Sequence, residues 1–125
     1  MAAPLPEPGA ERKLVDGYGG GGISIRGVVY RRPIIVLGDR VLDWDFADIA
    51  ALGIDDFKPL LDLADRPNIL LLGMGKRALF VRPDVRQALR DAGMIADLMD
   101  TGAACRTYNL LLAEERRVAA CLVPV

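Results

Sequence analysis

The second half of the chain alternates short apolar runs with helix-like segments, and this alternation limits the possible folds more than any other feature. The runs 69–72 and 95–99 have the length and composition of strands that are buried on both faces. The segment 83–92 between them starts at Pro83 and is followed by Gly93, as expected of a helix. Right-handed crossover makes the two strands parallel neighbours. The pattern predicts a three-layer α/β domain.

The first half of the sequence predicts β-hairpins. Gly27 separates the segments 23–26 and 28–30, and Gly38-Asp39 has the chemistry of a hairpin turn. Four consecutive glycines, residues 19–22, precede these strands. A phosphate-binding loop would need a Gly-Lys-Ser/Thr ending and a following helix, and both are missing. We therefore expect a bend or bulge before the first strand.

Length and the N-terminal segment indicate one domain. We expect a disordered Ala/Pro-rich tail over residues 1–12 and a single domain over residues 13–125, because 125 residues can bury one core. The tail lacks the pattern of a secretory signal. No apolar run approaches the roughly 18–20 residues that a membrane span requires, so none is predicted. A cytoplasmic location is the resulting expectation.

Composition excludes several classes of function. Histidine is absent, which rules out Ser-His-Asp and Cys-His catalysis and histidine metal sites. Cys105 and Cys121 are too few for a zinc site made by one chain. The net charge of −1 argues against a nucleic-acid partner. Asp43 and Asp45 could be mistaken for paired catalytic carboxylates, but alternation places both on the solvated face while Trp44 packs inward. We predict no metal, no cofactor and no catalytic residue.

A candidate binding cleft lies where the two parallel strands end. Ligands of open α/β sheets bind beyond the carboxyl ends of the strands. Gly73 and Gly75 follow the first strand, and Thr101 follows the second as the expected cap of a helix. That helix N-terminus offers amide donors to an anion, to which Lys76 and Arg106 could add charge. The alternative is a tight turn without a ligand.

The helix over residues 100–115 carries Arg106 and Asn109 together on the margin opposite its apolar sector. The two side chains could bind a ligand, bind a partner protein, or brace the chain's own N-terminal hairpins. Cys105 lies near the helix start beside Arg106, which favours a reactive thiolate. It also shares the apolar face with Tyr108, and we expect burial to dominate.

The same residues carry a resemblance to a known family. The specific part is the run 100–109, Asp-Thr-Gly-Ala-Ala-Cys-Arg-Thr-Tyr-Asn, supported by Gly17-Tyr18-Gly19, Trp44 and Gly73-x-Gly75. Over residues 17–124 the chain resembles the Mth938-like domain family. The resemblance implies a three-layer α/β fold around a central mixed sheet flanked by helices, joined to a second small β layer. It implies no established catalytic activity. For the mitochondrial members it implies a role in assembling respiratory complex I beside a partner factor.

Two residues depart from the family pattern. Glu115 stands where the family often has glycine after the helix, so a non-glycine residue must end the helix. Met74 replaces a small hydroxyl residue between the two glycines. We therefore predict a soluble, non-catalytic protein-interaction module, an assembly or chaperone-like factor with a protein partner. The alternative is an anion-binding or small-molecule-binding protein, or an enzyme, that uses the cleft between residues 73–76 and 101–109.

Overall fold

The computed structural model describes residues 12–125, which form two β-sheets and three α-helices. The disordered tail predicted for residues 1–12 lies outside the described residues apart from Arg12. The strands are β1 (Val15–Gly19), β2 (Gly22–Ile25), β3 (Val28–Tyr30), β4 (Ile34–Leu37), β5 (Arg40–Asp43), β6 (Ile69–Gly73), β7 (Ile95–Met99) and β8 (Val118–Leu122). The helices are α1 (Lys58–Leu61), α2 (Pro83–Asp91) and α3 (Thr101–Ala113), and 3-10 turns cover Ile49–Ala51 and Ile54–Phe57.

The central sheet is mixed, as the family resemblance implies. Its strand order is β5-β4-β8-β6-β7. Strand β6 is parallel to both β7 and β8, while β4 is antiparallel to β5 and β8. The predicted parallel pairing of residues 69–72 with residues 95–98 is confirmed, with Ile69 opposite Ile95 and Gly73 opposite Met99. The last strand in sequence therefore occupies the centre of the sheet.

Each face of the central sheet carries its own apolar core. Along β4, Ile35 and Leu37 belong to the core under α1 and α2, whereas Ile34 and Val36 belong to the core under α3. This follows from the two-residue period of a strand. The second core also receives side chains from the three-stranded sheet β1-β2-β3, so that sheet and α3 together form the third layer. The three-layer α/β fold is confirmed.

The glycine run does not precede the first strand, which corrects that expectation. Strand β1 ends at Gly19, and the turn at Gly20 and Gly21 leads directly into β2. Both turn glycines have positive φ angles, 60° and 80°, which favour glycine. Periodicity could not show β1, because Gly17 and Gly19 leave it without the usual alternation.

Strand β7 is not buried on both faces, which corrects a second expectation. It is an edge strand, and Ile95 is 62% exposed while Asp97 is exposed. Ala96 points to the opposite face and is buried. Helix α3 packs mainly on β6 and β8, and Ile95 and Asp97 on the same face of β7 stay exposed. An apolar run in the sequence does not reveal which strand will lie at the edge.

Candidate functional site

Gly75 and Thr101, two of the residues predicted to line a cleft, contact each other directly at one end of the central sheet. Thr101 is fully buried; its hydroxyl donates to the Val123 carbonyl at 2.6 Å and accepts from the Gly75 amide at 3.0 Å. The Thr101 amide donates to the Gly75 carbonyl at 2.8 Å. The structure therefore brings Gly75 and Thr101 together, and their polar groups bind each other.

Gly73 lies at the end of β6 directly against α3. A Cβ atom at this position would lie 2.9 Å from both Ala104 Cβ and Leu122 Cδ2, and 3.1 Å from Thr101 Cα. These distances are shorter than ordinary van der Waals contacts. The glycine permits close packing of strand and helix, and the space predicted for a ligand at this position is filled by the chain itself.

The N-terminus of α3 is capped by Asp100, not by Thr101 as the sequence suggested. The Asp100 carboxylate accepts from the Ala103 amide at 2.8 Å, and its carbonyl accepts from the Ala104 amide. The remaining first-turn residue, Gly102, is covered by Tyr18, whose hydroxyl would lie 2.9 Å from a Cβ added there. A carboxylate already occupies the position that an anion would take. The geometry does not favour anion binding at this helix end.

Asn109 braces the N-terminal sheet against α3. Its side-chain oxygen accepts from the Val15 amide at 2.9 Å, and its side-chain nitrogen donates to the Val15 carbonyl at 2.8 Å. Tyr108 adds a third bond, in which its hydroxyl donates at 2.9 Å to the carbonyl of Lys13, just before β1. The hypothesis of a polar brace therefore describes the contacts of Asn109.

Arg106 and Lys76 differ from the other candidates because both are exposed. Arg106 donates to the hydroxyl of Tyr18, which is itself 43% exposed. Within residues 12–125, Lys76 has neither a hydrogen bond nor an ion pair. Sequence reasoning missed Tyr18, whose contact with Gly102 depends on the position of β1. It also missed the exposed Phe80, although a lone aromatic residue in a basic loop could have indicated it.

Both cysteines are buried, as predicted. Cys105 is 2% exposed, and burial raises its pKa to about 11 although Arg106 opposes the shift. Burial also raises the pKa of Cys121 well above its usual value. Desolvation thus outweighs the neighbouring charge at Cys105. Neither thiol has the electropositive, accessible surroundings of a nucleophile.

The paired aspartates are solvated, also as predicted. Asp43 and Asp45 are exposed, and Trp44 between them is 1% exposed. Asp43 accepts from Arg32 at 2.6 Å, and this contact raises the pKa of Arg32. Among the described residues, no group of three or more Cys, Asp and Glu side chains is placed to hold a metal ion.

None of the helices in residues 12–125 has the length and apolar character that crossing a membrane demands.

A shallow open depression of about 470 Å³ lies at the opposite end of the sheet. It is far from the predicted cleft, since its lining comes from the starts of β6 and β8 and the end of α2. The Arg66 guanidinium in its wall donates to the Leu61 carbonyl at 2.6 Å and 3.0 Å. Bonds to the Leu61 and Ala92 carbonyls engage all three guanidinium nitrogens of Arg66, so the depression has little support as a ligand site.

The fold and the sequence are both similar to those of a known protein family. It superposes with a TM-score of 0.81 on the solution structure of a Mth938-like domain from Bordetella pertussis, which is 26% identical. The match covers 99% of this chain and 91% of that one. Residues 15–123 match the model of a family described as proteins of unknown function, DUF498/DUF598. The chain belongs to this family.

Two relatives, one bacterial and one human, are similar to nearly the whole of this chain. An uncharacterised protein of Rhodobacter capsulatus is 36% identical over 120 residues, covering 95% of this chain and 91% of the relative. Human NADH dehydrogenase (ubiquinone) 1 alpha subcomplex assembly factor 3 is 30% identical over 120 residues. That match covers 96% of this chain, which spans 65% of the human protein's length.

Proposed function

We propose that the chain is a non-catalytic protein-interaction module that acts as an assembly factor for a multi-subunit respiratory complex. The carrying observation is the similarity to assembly factor 3 over 96% of this chain. The filled contact of Gly73 with α3 supports it, because the position at which α/β proteins usually bind ligands holds the chain's own atoms. The cytoplasmic location expected from the sequence stays part of the proposal.

The six candidate residues divide into two groups under this proposal. Gly73, Gly75, Thr101 and Asn109 hold the domain together through the contacts described above. Lys76 and Arg106 are exposed and can contact a partner. The alternative of a small-molecule or anion-binding protein, or an enzyme, has weaker support, since its cleft requires groups that already bind each other.

Deletion of the gene from its own organism tests the proposal. We expect less fully assembled NADH dehydrogenase complex on native gels stained for NADH oxidation, accumulation of partial complexes, and recovery when the wild-type chain is supplied. Succinate dehydrogenase measured on the same membranes is the control and should not change. Normal amounts of assembled complex in the deletion strain would contradict an assembly role.

A further inference from the structure

Residues 75–82, which lie in the loop between β6 and α2, are held to the domain at several points. Gly75 exchanges hydrogen bonds with Thr101, as described above. The Leu79 amide donates to the Met74 sulfur at 3.4 Å, and Leu79 packs against the core under α2. Val81 is 3% exposed. The loop therefore presents its outward side chains on an anchored backbone.

Phe80 projects outward between two inward-facing neighbours. It is 74% exposed, the largest exposed fraction among the large apolar side chains of residues 12–125. Leu79 and Val81 on either side use the inward positions, so the backbone fixes the outward direction of Phe80. Single exposed apolar residues are common on protein surfaces, so Phe80 alone does not define a binding surface.

The charge around Phe80 supplies an independent observation. Residues 75–82 contain Lys76, Arg77 and Arg82 and no acidic residue, whereas the whole chain has a net charge of −1. Arg82 pairs with Asp84 at 3.1 Å. Within the described residues, Lys76 and Arg77 have no ion pair and no hydrogen bond. Two cations without internal partners therefore lie on the same loop as an exposed aromatic ring.

We propose that residues 75–82 form the surface that docks an acidic segment of a protein partner, with Phe80 entering an apolar pocket of that partner. This inference rests on the function proposed above and adds the chemistry of the partner. Aromatic residues and arginine dominate the energetics of protein interfaces, and complementary charge speeds association. An anionic membrane is a weaker occupant, because one inserted side chain and a few cations give only marginal membrane binding.

The test compares variants of the loop with matched variants elsewhere. Phe80→Ala is paired with Leu110→Ala, which removes a 60% exposed apolar side chain from α3. The double variant Lys76→Glu, Arg77→Glu is paired with Arg90→Glu, Arg116→Glu, which changes the net charge equally at the opposite end of the sheet. Each chain replaces the wild type in cells, and partners are captured and quantified by mass spectrometry. A chain with p-benzoylphenylalanine in place of Phe80 is cross-linked by light to locate the contact.

The proposal predicts that both loop variants reduce capture of the wild-type partner by roughly tenfold or more, as loss of a hot-spot residue does. Both controls should retain capture, and raising the salt from about 50 to 300 mM should weaken it. The cross-link should map to an acidic segment. Equal capture by loop and control variants would overturn the docking surface while leaving the proposed function standing. Absence of any partner of the wild type would overturn both.

A membrane occupant is tested separately. Flotation with vesicles of about three parts phosphatidylcholine to one part phosphatidylglycerol measures lipid binding directly. The proposal predicts that the wild-type chain stays in the soluble fraction. Flotation of the wild type that is lost in the Lys76→Glu, Arg77→Glu variant would identify an anionic lipid surface as the occupant and overturn the proposal.

Discussion

The side chain of Asn109 pairs with the backbone of Val15 through both of its polar atoms, at 2.9 Å and 2.8 Å. The amide thereby acts as a β-ladder partner on the side of β1 that pairs with no other strand within residues 12–125. An amide group is needed because the site presents one donor and one acceptor. This bond joins residues that are 94 positions apart in the sequence.

Asn109→Asp should destabilise the domain by about 1–3 kcal/mol at neutral pH, because the carboxylate can accept from Val15 but has no proton for the Val15 carbonyl. Urea unfolding measures the free energy. Thr107→Asp, which adds the same charge on a nearby turn of α3, is the control. If Asn109→Asp lowers the free energy of unfolding no more than Thr107→Asp does, the hydrogen bonds between Asn109 and Val15 are not required for stability.

Arg106→Ala should lower stability by less than about 1 kcal/mol, because its bond to Tyr18 is on the exposed surface, where such interactions contribute little. Urea unfolding measures the free energy of unfolding of Arg106→Ala and Asn109→Asp under the same conditions. If the arginine variant is the less stable of the two, the assignment of the brace to Asn109 is wrong.

Gly73→Ala should destabilise by about 1–3 kcal/mol, because the new methyl group meets α3 and Leu122 at 2.9 Å. Adding Ala104→Gly should recover part of the loss by removing one of the close contacts. Gly17→Ala is the matched control, since a Cβ there meets nothing within 4 Å. An unchanged melting temperature for Gly73→Ala would mean that the added methyl group fits between β6 and α3. That result would support the predicted binding cleft.

Glu115→Gly should stabilise the domain by about 0.5–1 kcal/mol, because Glu115 ends α3 with a φ angle of 61° that glycine adopts without strain. The ion pair that it loses, with Arg12 at 3.6 Å, is exposed on the glutamate side and offsets little. Glu115→Ala loses the same ion pair but keeps the strain, so it should not stabilise. Thermal unfolding of the three proteins decides between these outcomes.

Stability should fall as the pH rises from about 9 to about 11. Burial raises the folded-state pKa of Cys105 from 9.0 to about 11, and it raises the pKa of Tyr108 as well. Over this range the unfolded chain binds fewer protons than the folded one, so the free energy of unfolding decreases. Urea unfolding at several pH values measures the slope, which should be shallower for Cys105→Ala. Rapid labelling of Cys105 by a thiol reagent at neutral pH would contradict its burial.

The fold was predictable wherever neighbouring residues determine the structure. The hairpin at Gly27, the helix from Pro83 to the stop at Gly93, and the parallel pair β6–β7 all follow from local patterns. Strand β1 escaped prediction because glycines at positions 17 and 19 remove its alternation. The exposure of Ile95 escaped because strand order is a property of the whole chain.

The candidate site was less predictable, because different structures share the same residue types. A glycine after a strand permits either approach of a ligand or close packing of a helix, and the position of Ala104 decides for Gly73. Asn109 could face a partner or the chain itself, and only the placement of Val15 distinguishes these roles. Such decisions depend on contacts between residues that are distant in sequence.

Native mass spectrometry of the protein isolated from its own cells tests the central claim most directly. An interaction module should give complexes whose added mass equals that of one or more proteins, and the released chain should have its sequence mass without a small molecule. A chain that carries a small molecule in stoichiometric amount, with no protein attached, would contradict this account and restore a ligand-binding function.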